Sequence, residues 1–241
     1  MPQAPQPHSP FPAPEAHEAP YLLWHCVSAR SLRALWMLHE LQQPCTLHML
    51  PFPPRVHRRE FLAHNPLGTV PLLVHGTTRL TESAAICAYL AARHPAAQLQ
   101  VLPHEAAYGD YLNWLHMSDA TLAFPLTLVL RYSYFEAPAQ RQPQVAADYA
   151  RWHLARLRAV ESAVAHTPYL CGERFTAADV AVGYALLLSE HLDLHSSWGP
   201  ATQAYWQRLK ARSALQAALA HERSAALEQG VDPTPSPLLR N

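Results

Sequence analysis

Two dipeptides in the first hundred residues combine residue types that can hold a polar ligand. Val70-Pro71 opens a short apolar segment, and a proline there gives up its N–H at a position where an extended ligand could pair. Glu82-Ser83 opens a helical segment, and a helix start offers free N–H groups and a partial positive charge that suit a carboxylate. The alternative for the second pair is a simple helix cap, with Thr81 as N-cap and Glu82 in the first turn.

The elements around these residues alternate between strand and helix. Aromatic and apolar residues over 21–27 predict a buried strand, and apolar residues at helical spacing predict a helix after the turn at 28–31. The remaining predicted elements are strands at 45–50, 70–74 and 78–80 and helices at 56–64 and 82–93. This order predicts a thioredoxin-like βαβαββα domain over residues 21–94, the α/β part of the chain.

The chain changes character after residue 95. Ala and Leu dominate and no strand-like alternation follows, which predicts an all-α domain over 103–228. Its helices are expected near 104–133, 144–166, 177–190 and 201–226. Thr176 and Asp179 have the spacing of a capping box, so Asp179 is interpreted as structural rather than catalytic. The Pro-rich ends, 1–20 and 229–241, lack periodicity and are predicted to be disordered.

Composition excludes several classes of partner. Lys and Arg total 18, as do Asp and Glu, so the formal charge is zero and neither nucleic acid nor an anionic membrane is expected as partner. No apolar run is long enough to span a membrane, and because the first twenty residues have no basic start and no apolar stretch, they are not expected to act as a signal peptide. Four scattered cysteines indicate a reducing cytoplasm. The 16 histidines fit no zinc ligand spacing, so no metal is expected.

Four stretches together resemble the cytosolic glutathione transferases, and the resemblance covers about residues 21–227. They are Ser-Ala-Arg-Ser-Leu-Arg-Ala-Leu-Trp-Met-Leu-His-Glu-Leu at 28–41, Asn-Pro-Leu-Gly-Thr-Val-Pro-Leu-Leu-Val at 65–74, Leu-Thr-Glu-Ser-Ala-Ala-Ile-Cys-Ala-Tyr-Leu-Ala at 80–91 and Tyr-Leu-Cys-Gly-Glu-Arg-Phe-Thr-Ala-Ala-Asp-Val-Ala at 169–181. The resemblance implies conjugation of glutathione to small apolar electrophiles, a detoxification reaction, with glutathione as co-substrate and no other cofactor. It also implies a homodimer.

The resemblance implies roles for both dipeptides. A cis peptide at Val70-Pro71 would turn the Val70 backbone toward the cysteinyl part of glutathione. Ser83 would take the γ-glutamyl carboxylate, and Glu82 would meet the ammonium group. Some relatives have Lys where this chain has Thr69. The glycyl carboxylate is therefore expected to find a cation around the second helix, where the candidates are Arg55, His57, Arg58 and His64.

The group that activates the glutathione thiol has two candidates, Ser28 and Ser31, with Arg30 as a nearby cation. A thiol of pKa about 8.5 needs roughly 2.7 kcal/mol to lower that value by about two units, which a hydroxyl, a helix N-terminus and a cation could supply together. Ser28 precedes Arg33 by the interval found in serine-type members that resemble the tau and phi classes. Microbial members place a serine where this chain has Ala29. The cysteine of the beta class is replaced by Arg30, so a serine type is favoured, and Cys26 is expected in the core.

An aromatic stripe is the candidate second-substrate site. Its members lie at spacings of three and four on the first long helix: Tyr108, Tyr111, Trp114, Leu115 and Ser118, with Tyr132, Tyr134 and Phe135 near the end. Such a stripe is also typical of a core. Two other functions remain open: glutathione-dependent reduction of peroxides or disulfides in the same site, and a non-catalytic binding or regulatory role on the same fold.

Overall fold

The structure, a computed structural model, describes residues 19–239. A four-stranded sheet forms its first part, in the order β2-β1-β3-β4. The strands are β1 (Tyr21–His25), β2 (Cys45–Met49), β3 (Leu72–His75) and β4 (Thr78–Leu80). β1 runs parallel to β2 and antiparallel to β3, which forms a hairpin with β4. This arrangement confirms the predicted thioredoxin-like α/β fold.

Helices cover the sheet. Tyr21, Leu23 and His25 alternate with less buried residues, as expected of a strand with one buried face. Helix α1 (Leu32–Glu40) packs against α3 (Ser83–Arg93) and also against the helical part of the chain, so it is buried over most of its length. The shorter elements are α2 (Pro54–His57) and a 3-10 helix (Arg59–Ala63).

The rest of the chain is helical, as predicted. The helices are α4 (Tyr108–Met117), α5 (Phe124–Leu130), α6 (Pro143–Ala163), α7 (Ala177–His191), α8 (Pro200–Lys210) and α9 (Ser213–Glu228). The predicted first long helix is interrupted by π-helical turns at Ser118–Ala123 and Arg131–Phe135. No helix within residues 19–239 has the length and apolarity to cross a membrane.

Helix α7 is the centre of this domain and contacts the first one. A Cβ added at Gly183 would lie 2.8 Å from a ring carbon of Trp36, so the absence of a side chain lets α1 and α7 approach closely. The predicted capping box at its start is present: Asp179 Oδ2 accepts from the Thr176 N–H at 2.8 Å. Asp179 Oδ1 accepts from the Tyr205 hydroxyl at 2.8 Å, which ties α8 to the same cap.

The prediction of disorder over 229–241 is wrong for 229–239. This C-terminal segment has a 3-10 helix (Ser236–Leu238) with buried residues, and the Ser236 N–H donates to the Val27 carbonyl at 2.8 Å. Val231 joins the main hydrophobic core. A Pro-rich sequence without periodicity can therefore be ordered by contacts with distant residues, which local pattern does not report. The prediction for 1–20 concerns residues outside those described, apart from 19 and 20.

Candidate functional site

The turn before β3 contains backbone groups without a hydrogen-bond partner. The Val70-Pro71 peptide is cis. The turn is set by Asn65, whose side-chain amide donates to the Thr69 carbonyl at 2.7 Å, and by Gly68, which has a φ of 60°. Strand pairing begins only at Leu72, and the N–H and C=O groups of Val70 have no hydrogen-bond partner among residues 19–239. An extended ligand can therefore pair with Val70 as an added strand would.

Helix α3 begins beside this turn. Glu82 is its N-cap and Ser83 its first residue, so the expected cap at Thr81 is wrong by one position. Ser83 is buried, and its Oγ accepts a hydrogen bond from Arg33 Nη1 at 2.8 Å. The hydrogen bond from Arg33 occupies a lone pair of Ser83 Oγ and leaves the hydroxyl proton free, so Ser83 can still donate that proton to a ligand. Glu82 is exposed beside it.

Arg33 is fully buried and joins the two domains. Its Nε donates to the Ala181 carbonyl at 2.8 Å and its Nη2 to the Ser118 carbonyl at 3.1 Å. Nη1 donates both to Ser83 and to Asp119. We refer to Arg33, Ser83 and Asp119 as the Arg33 centre. The spacing of Arg33 from Ser28 did not predict this role, although a charged residue inside the apolar pattern of α1 is a signal of a buried polar contact.

Ser28 lies in a second buried cluster. Its φ is 51°, unusual for a residue with a side chain, and it is held there by Glu222 of α9. The Ser28 N–H donates to Glu222 Oε2 at 2.9 Å and its hydroxyl to Oε1 at 2.8 Å. Oε2 also lies 2.7 Å from His25 Nε2. These three residues form the Glu222 centre, whose carboxylate no local sequence pattern connects to Ser28.

The other activation candidates occupy the start of α1. Ser31 is buried, and its Oγ accepts from the Cys26 N–H at 3.4 Å. The Arg30 side chain is 37% exposed and lies 4.0 Å from Asp119. The N–H groups of Arg30 and Ser31 make no backbone hydrogen bond among the described residues, as is usual at the start of a helix. Cys26 is in the core as expected, and burial raises the pKa of its thiol.

The aromatic stripe of α4 is core rather than an open cleft. Tyr111 and Trp114 are buried in the main hydrophobic cluster, because this side of α4 packs against α3 and α7. Ser118 is buried as well, and its hydroxyl donates to the Leu115 carbonyl at 2.7 Å. Burial raises the pKa of Tyr111. Tyr108 is half-buried, as are Tyr132, Tyr134 and Phe135 near the end of the stripe, so these members are accessible to a substrate whereas Tyr111, Trp114 and Ser118 are not.

A cavity of about 290 Å³ lies elsewhere, between the loop after β2 and the C-terminal segment. Phe52 and Phe135 form one wall, with ring centroids 5.3 Å apart. Two of the predicted site residues, His57 and Phe135, line this cavity. The other lining residues are Val27, Leu50, Pro51, Phe52 and Pro53 from the first domain and Val231, Asp232, Thr234, Ser236 and Leu239 from the C-terminal segment.

The candidate cations for a second carboxylate all lie near α2 and are exposed. Arg58 pairs with Glu60 at 3.4 Å, and the His64 ring packs against Trp24. Arg55 and His57 form no ion pair with a described residue. Within residues 19–239, no three His, Cys, Asp or Glu side chains are arranged to hold a metal ion.

Comparison with known proteins matches both domains. Residues 27–93 match the glutathione S-transferase N-terminal domain and residues 120–213 the C-terminal domain. The chain is 30% identical over 164 residues to glutathione S-transferase GstA of Escherichia coli O157:H7, covering 68% of this chain and 78% of that one. It is 31% identical over 173 residues to glutathione S-transferase 3 of Zea mays, covering 67% and 75%.

Solved structures agree. A sphingomonad glutathione S-transferase, solved as a complex with glutathione, superposes with a TM-score of 0.71 at 25% identity, covering 83% of this chain and 98% of that one. The chain therefore belongs to the glutathione S-transferase family, and it is a transferase of that class.

Proposed function

We propose that this protein conjugates glutathione to small apolar electrophiles. The observation that carries the proposal is the unpaired Val70 backbone at a cis Val-Pro turn, next to the Ser83 hydroxyl at a helix start. The cysteinyl part would pair with Val70, and the γ-glutamyl carboxylate would meet Ser83 and the α3 N-terminus. Supporting this, a structural neighbour was solved with glutathione bound.

The start of α1 would hold the sulfur. The positive end of α1, where the N–H groups of Arg30 and Ser31 have no backbone acceptor, and the Arg30 guanidinium favour an anion there, so they would stabilise the thiolate. The thiolate then attacks an electrophilic carbon, a C–S bond forms, and the leaving group departs with the bonding electrons. Holding both reactants in contact supplies much of the rate acceleration.

The second substrate would occupy the cavity beside Phe52 and Phe135. Its aromatic walls suit an apolar molecule, and Asp232 and Thr234 add polar groups at the C-terminal segment. His57, at the same cavity, or the exposed Arg55 would be available to the glycyl carboxylate.

Two further expectations are part of the proposal. Exposed apolar side chains occur on both domains, with Leu67 60% and Phe124 52% exposed, and burial of such residues would favour a homodimer. Light scattering should then give about twice the chain mass. The four cysteine thiols are all free in the structure, which supports a reducing cytoplasm.

A binding and turnover assay tests the proposed function. Purified protein should be retained on immobilised glutathione and should conjugate a chlorinated dinitrobenzene. A chain that ends at Gly230 should keep glutathione retention but show a several-fold higher KM for the electrophile, because one cavity wall is removed. Exchange of exposed Arg151 for Lys serves as a control. A wild-type protein that is not retained would contradict the proposal.

A further inference from the structure

The C-terminal segment is held against the first domain at two points. Strand β2 lies at the edge of the sheet, and the Gln229 side chain pairs with its backbone. Gln229 Oε1 accepts from the Met49 N–H and its Nε2 donates to the Leu47 carbonyl, each at 2.8 Å. Further along the segment, the Ser236 N–H donates to the Val27 carbonyl at 2.8 Å. These hydrogen bonds fix Ser236 beside the loop that joins β1 to α1.

The hydroxyl of Ser236 differs from the other buried hydroxyls. Ser236 is 3% exposed, and its Oγ forms no hydrogen bond with any residue of 19–239. All other buried Ser and Thr hydroxyls in this part of the chain have a partner, as Ser118, Ser189 and Thr202 show. A buried hydroxyl without a partner is costly, so the Ser236 hydroxyl is expected to find its partner in a bound molecule.

The cavity of about 290 Å³ gives a bound molecule access to this hydroxyl, because Ser236 is one of its lining residues. The Tyr111 hydroxyl also lacks a partner, but it is sealed from solvent, whereas Ser236 Oγ is not sealed. Val27 lines the same cavity and directly precedes the turn that leads into α1. The cavity therefore adjoins the proposed position of the glutathione sulfur.

Charge at this cavity favours a neutral second substrate. Asp232 is an exposed lining residue, and hydrogen bonds from the Thr234 hydroxyl and N–H lower the pKa of its carboxyl group. Asp232 is therefore negative at neutral pH, and an anionic electrophile would meet a like charge. The walls near Ser236 include Phe52 and Phe135, and a hydrogen bond in such apolar surroundings is stronger than in water.

We infer that Ser236 donates a hydrogen bond to an acceptor oxygen of the second substrate, and that the site prefers neutral α,β-unsaturated carbonyl compounds. The inference rests on the proposed function, since it places the electrophile in this cavity. Ser236 is then a specificity-determining residue that the C-terminal segment contributes to the site.

The chemistry of the addition explains the preference. The thiolate sulfur attacks the β-carbon, a C–S bond forms, and the electron pair of the C=C bond shifts so that the carbonyl oxygen becomes an enolate oxygen. Ser236 donates to this oxygen and keeps its own proton, and water then supplies a proton to the α-carbon. Because negative charge grows on the oxygen during the attack, the donor stabilises the transition state more than the bound substrate.

Exchange of Ser236 for Ala tests this inference with two electrophiles. An α,β-unsaturated ketone has the acceptor oxygen, whereas benzyl chloride has none. Ser236→Ala should lower kcat/KM for the ketone about tenfold, mainly through kcat, because one donor to the developing charge is lost. The value for benzyl chloride should stay within about twofold of wild type, since a merely structural role would lower both. Ser224→Ala, which removes an exposed hydroxyl on α9, should change neither value.

The outcomes separate this inference from the proposed function. In folded Ser236→Ala, an unchanged ketone rate or an equal loss with both electrophiles would overturn the inference. Retention on immobilised glutathione and turnover of benzyl chloride would still keep the proposed function. If Ser236→Ala does not fold, the wild-type protein decides: its acceleration over the uncatalysed reaction should be about tenfold larger for the ketone, and equal accelerations would overturn the inference. Loss of wild-type retention overturns both.

Discussion

The Arg33 centre and the Glu222 centre bury opposite charges in different ways. Arg33 donates to Asp119, to Ser83 and to two carbonyls, so its charge is both paired and hydrogen-bonded. Glu222 accepts from both the N–H and the hydroxyl of Ser28 and lies 2.7 Å from His25 Nε2, so its carboxylate is held by groups of the first domain alone. Both arrangements fix the geometry between the domains, because removal of either buried group would leave its partners without a hydrogen bond.

The two centres also act on opposite ends of the proposed ligand. The Arg33 centre supports Ser83, where the γ-glutamyl carboxylate is proposed to bind, and it links that position to the π-helical turn after α4 and to α7. The Glu222 centre supports Ser28, near the proposed sulfur position, and it links that position to α9. Each end of the site is therefore held by a hydrogen-bonded contact between the domains. At one end Arg33 of the first domain reaches the helical domain, and at the other Glu222 of the helical domain reaches Ser28. Four predictions test the difference.

The largest effect is expected for Arg33→Met. The change leaves Asp119 without its buried cation partner and removes hydrogen bonds between the domains. We expect the free energy of unfolding to fall by about 3–5 kcal/mol, measured by denaturant titration. Arg151→Met, which breaks an exposed pair with Asp148, should change it by less than about 1 kcal/mol. Equal effects of the two changes would contradict the role given to Arg33.

A buried histidine outside both centres, His153, is expected to make the folding stability depend on pH. Burial lowers the pKa of His153 to about 4, below the unfolded value near 6.5. Protonation therefore favours the unfolded chain, so the stability from His153 is present above pH 6.5 and is lost as the pH falls toward 4. The full loss amounts to about 3 kcal/mol. The melting temperature of the wild type should fall more steeply with decreasing pH than that of His153→Gln. Parallel curves of melting temperature against pH would exclude His153 as a source of the acid instability.

Ser83→Ala separates binding from folding at the Arg33 centre. Arg33 keeps Asp119 and both carbonyl acceptors, so the fold should be retained. The lost hydroxyl donor should weaken glutathione binding about tenfold, or about 1.4 kcal/mol, by calorimetry. Thr127→Ala, which removes an exposed hydroxyl on α5, is the matched control and should bind glutathione with the wild-type affinity. Wild-type affinity in Ser83→Ala would remove Ser83 from the proposed site.

The smallest effect on stability is expected for Glu222→Gln. The amide oxygen can still accept from Ser28, so the free energy of unfolding should change by about 1 kcal/mol. Denaturant titration of Glu222→Gln and Arg33→Met under the same conditions compares their free energies of unfolding directly. A loss as large as that of Arg33→Met would contradict the smaller contribution that we expect from Glu222.

Local patterns were sufficient where neighbours in sequence determine the structure. The strand and helix order, the four-strand layer and the capping box at Thr176 and Asp179 follow from periodicity and from groups three residues apart. The turn that ends in Val70-Pro71 is also local, since Asn65 and Gly68 shape it. These features explain why the family could be recognised from short motifs.

Tertiary packing decided the rest. Whether Ser28 donates or accepts depends on Glu222, which lies 194 residues away in the chain. The aromatic side chains of α4 are in the core because α3 and α7 pack over them. The C-terminal segment is ordered because it hydrogen-bonds to Val27 and packs into the hydrophobic core. Periodicity shows which face of a helix is apolar, but it does not show what covers that face. Burial and long-range hydrogen bonds arise only when distant segments meet, and they determine the chemistry of the side chains at the site.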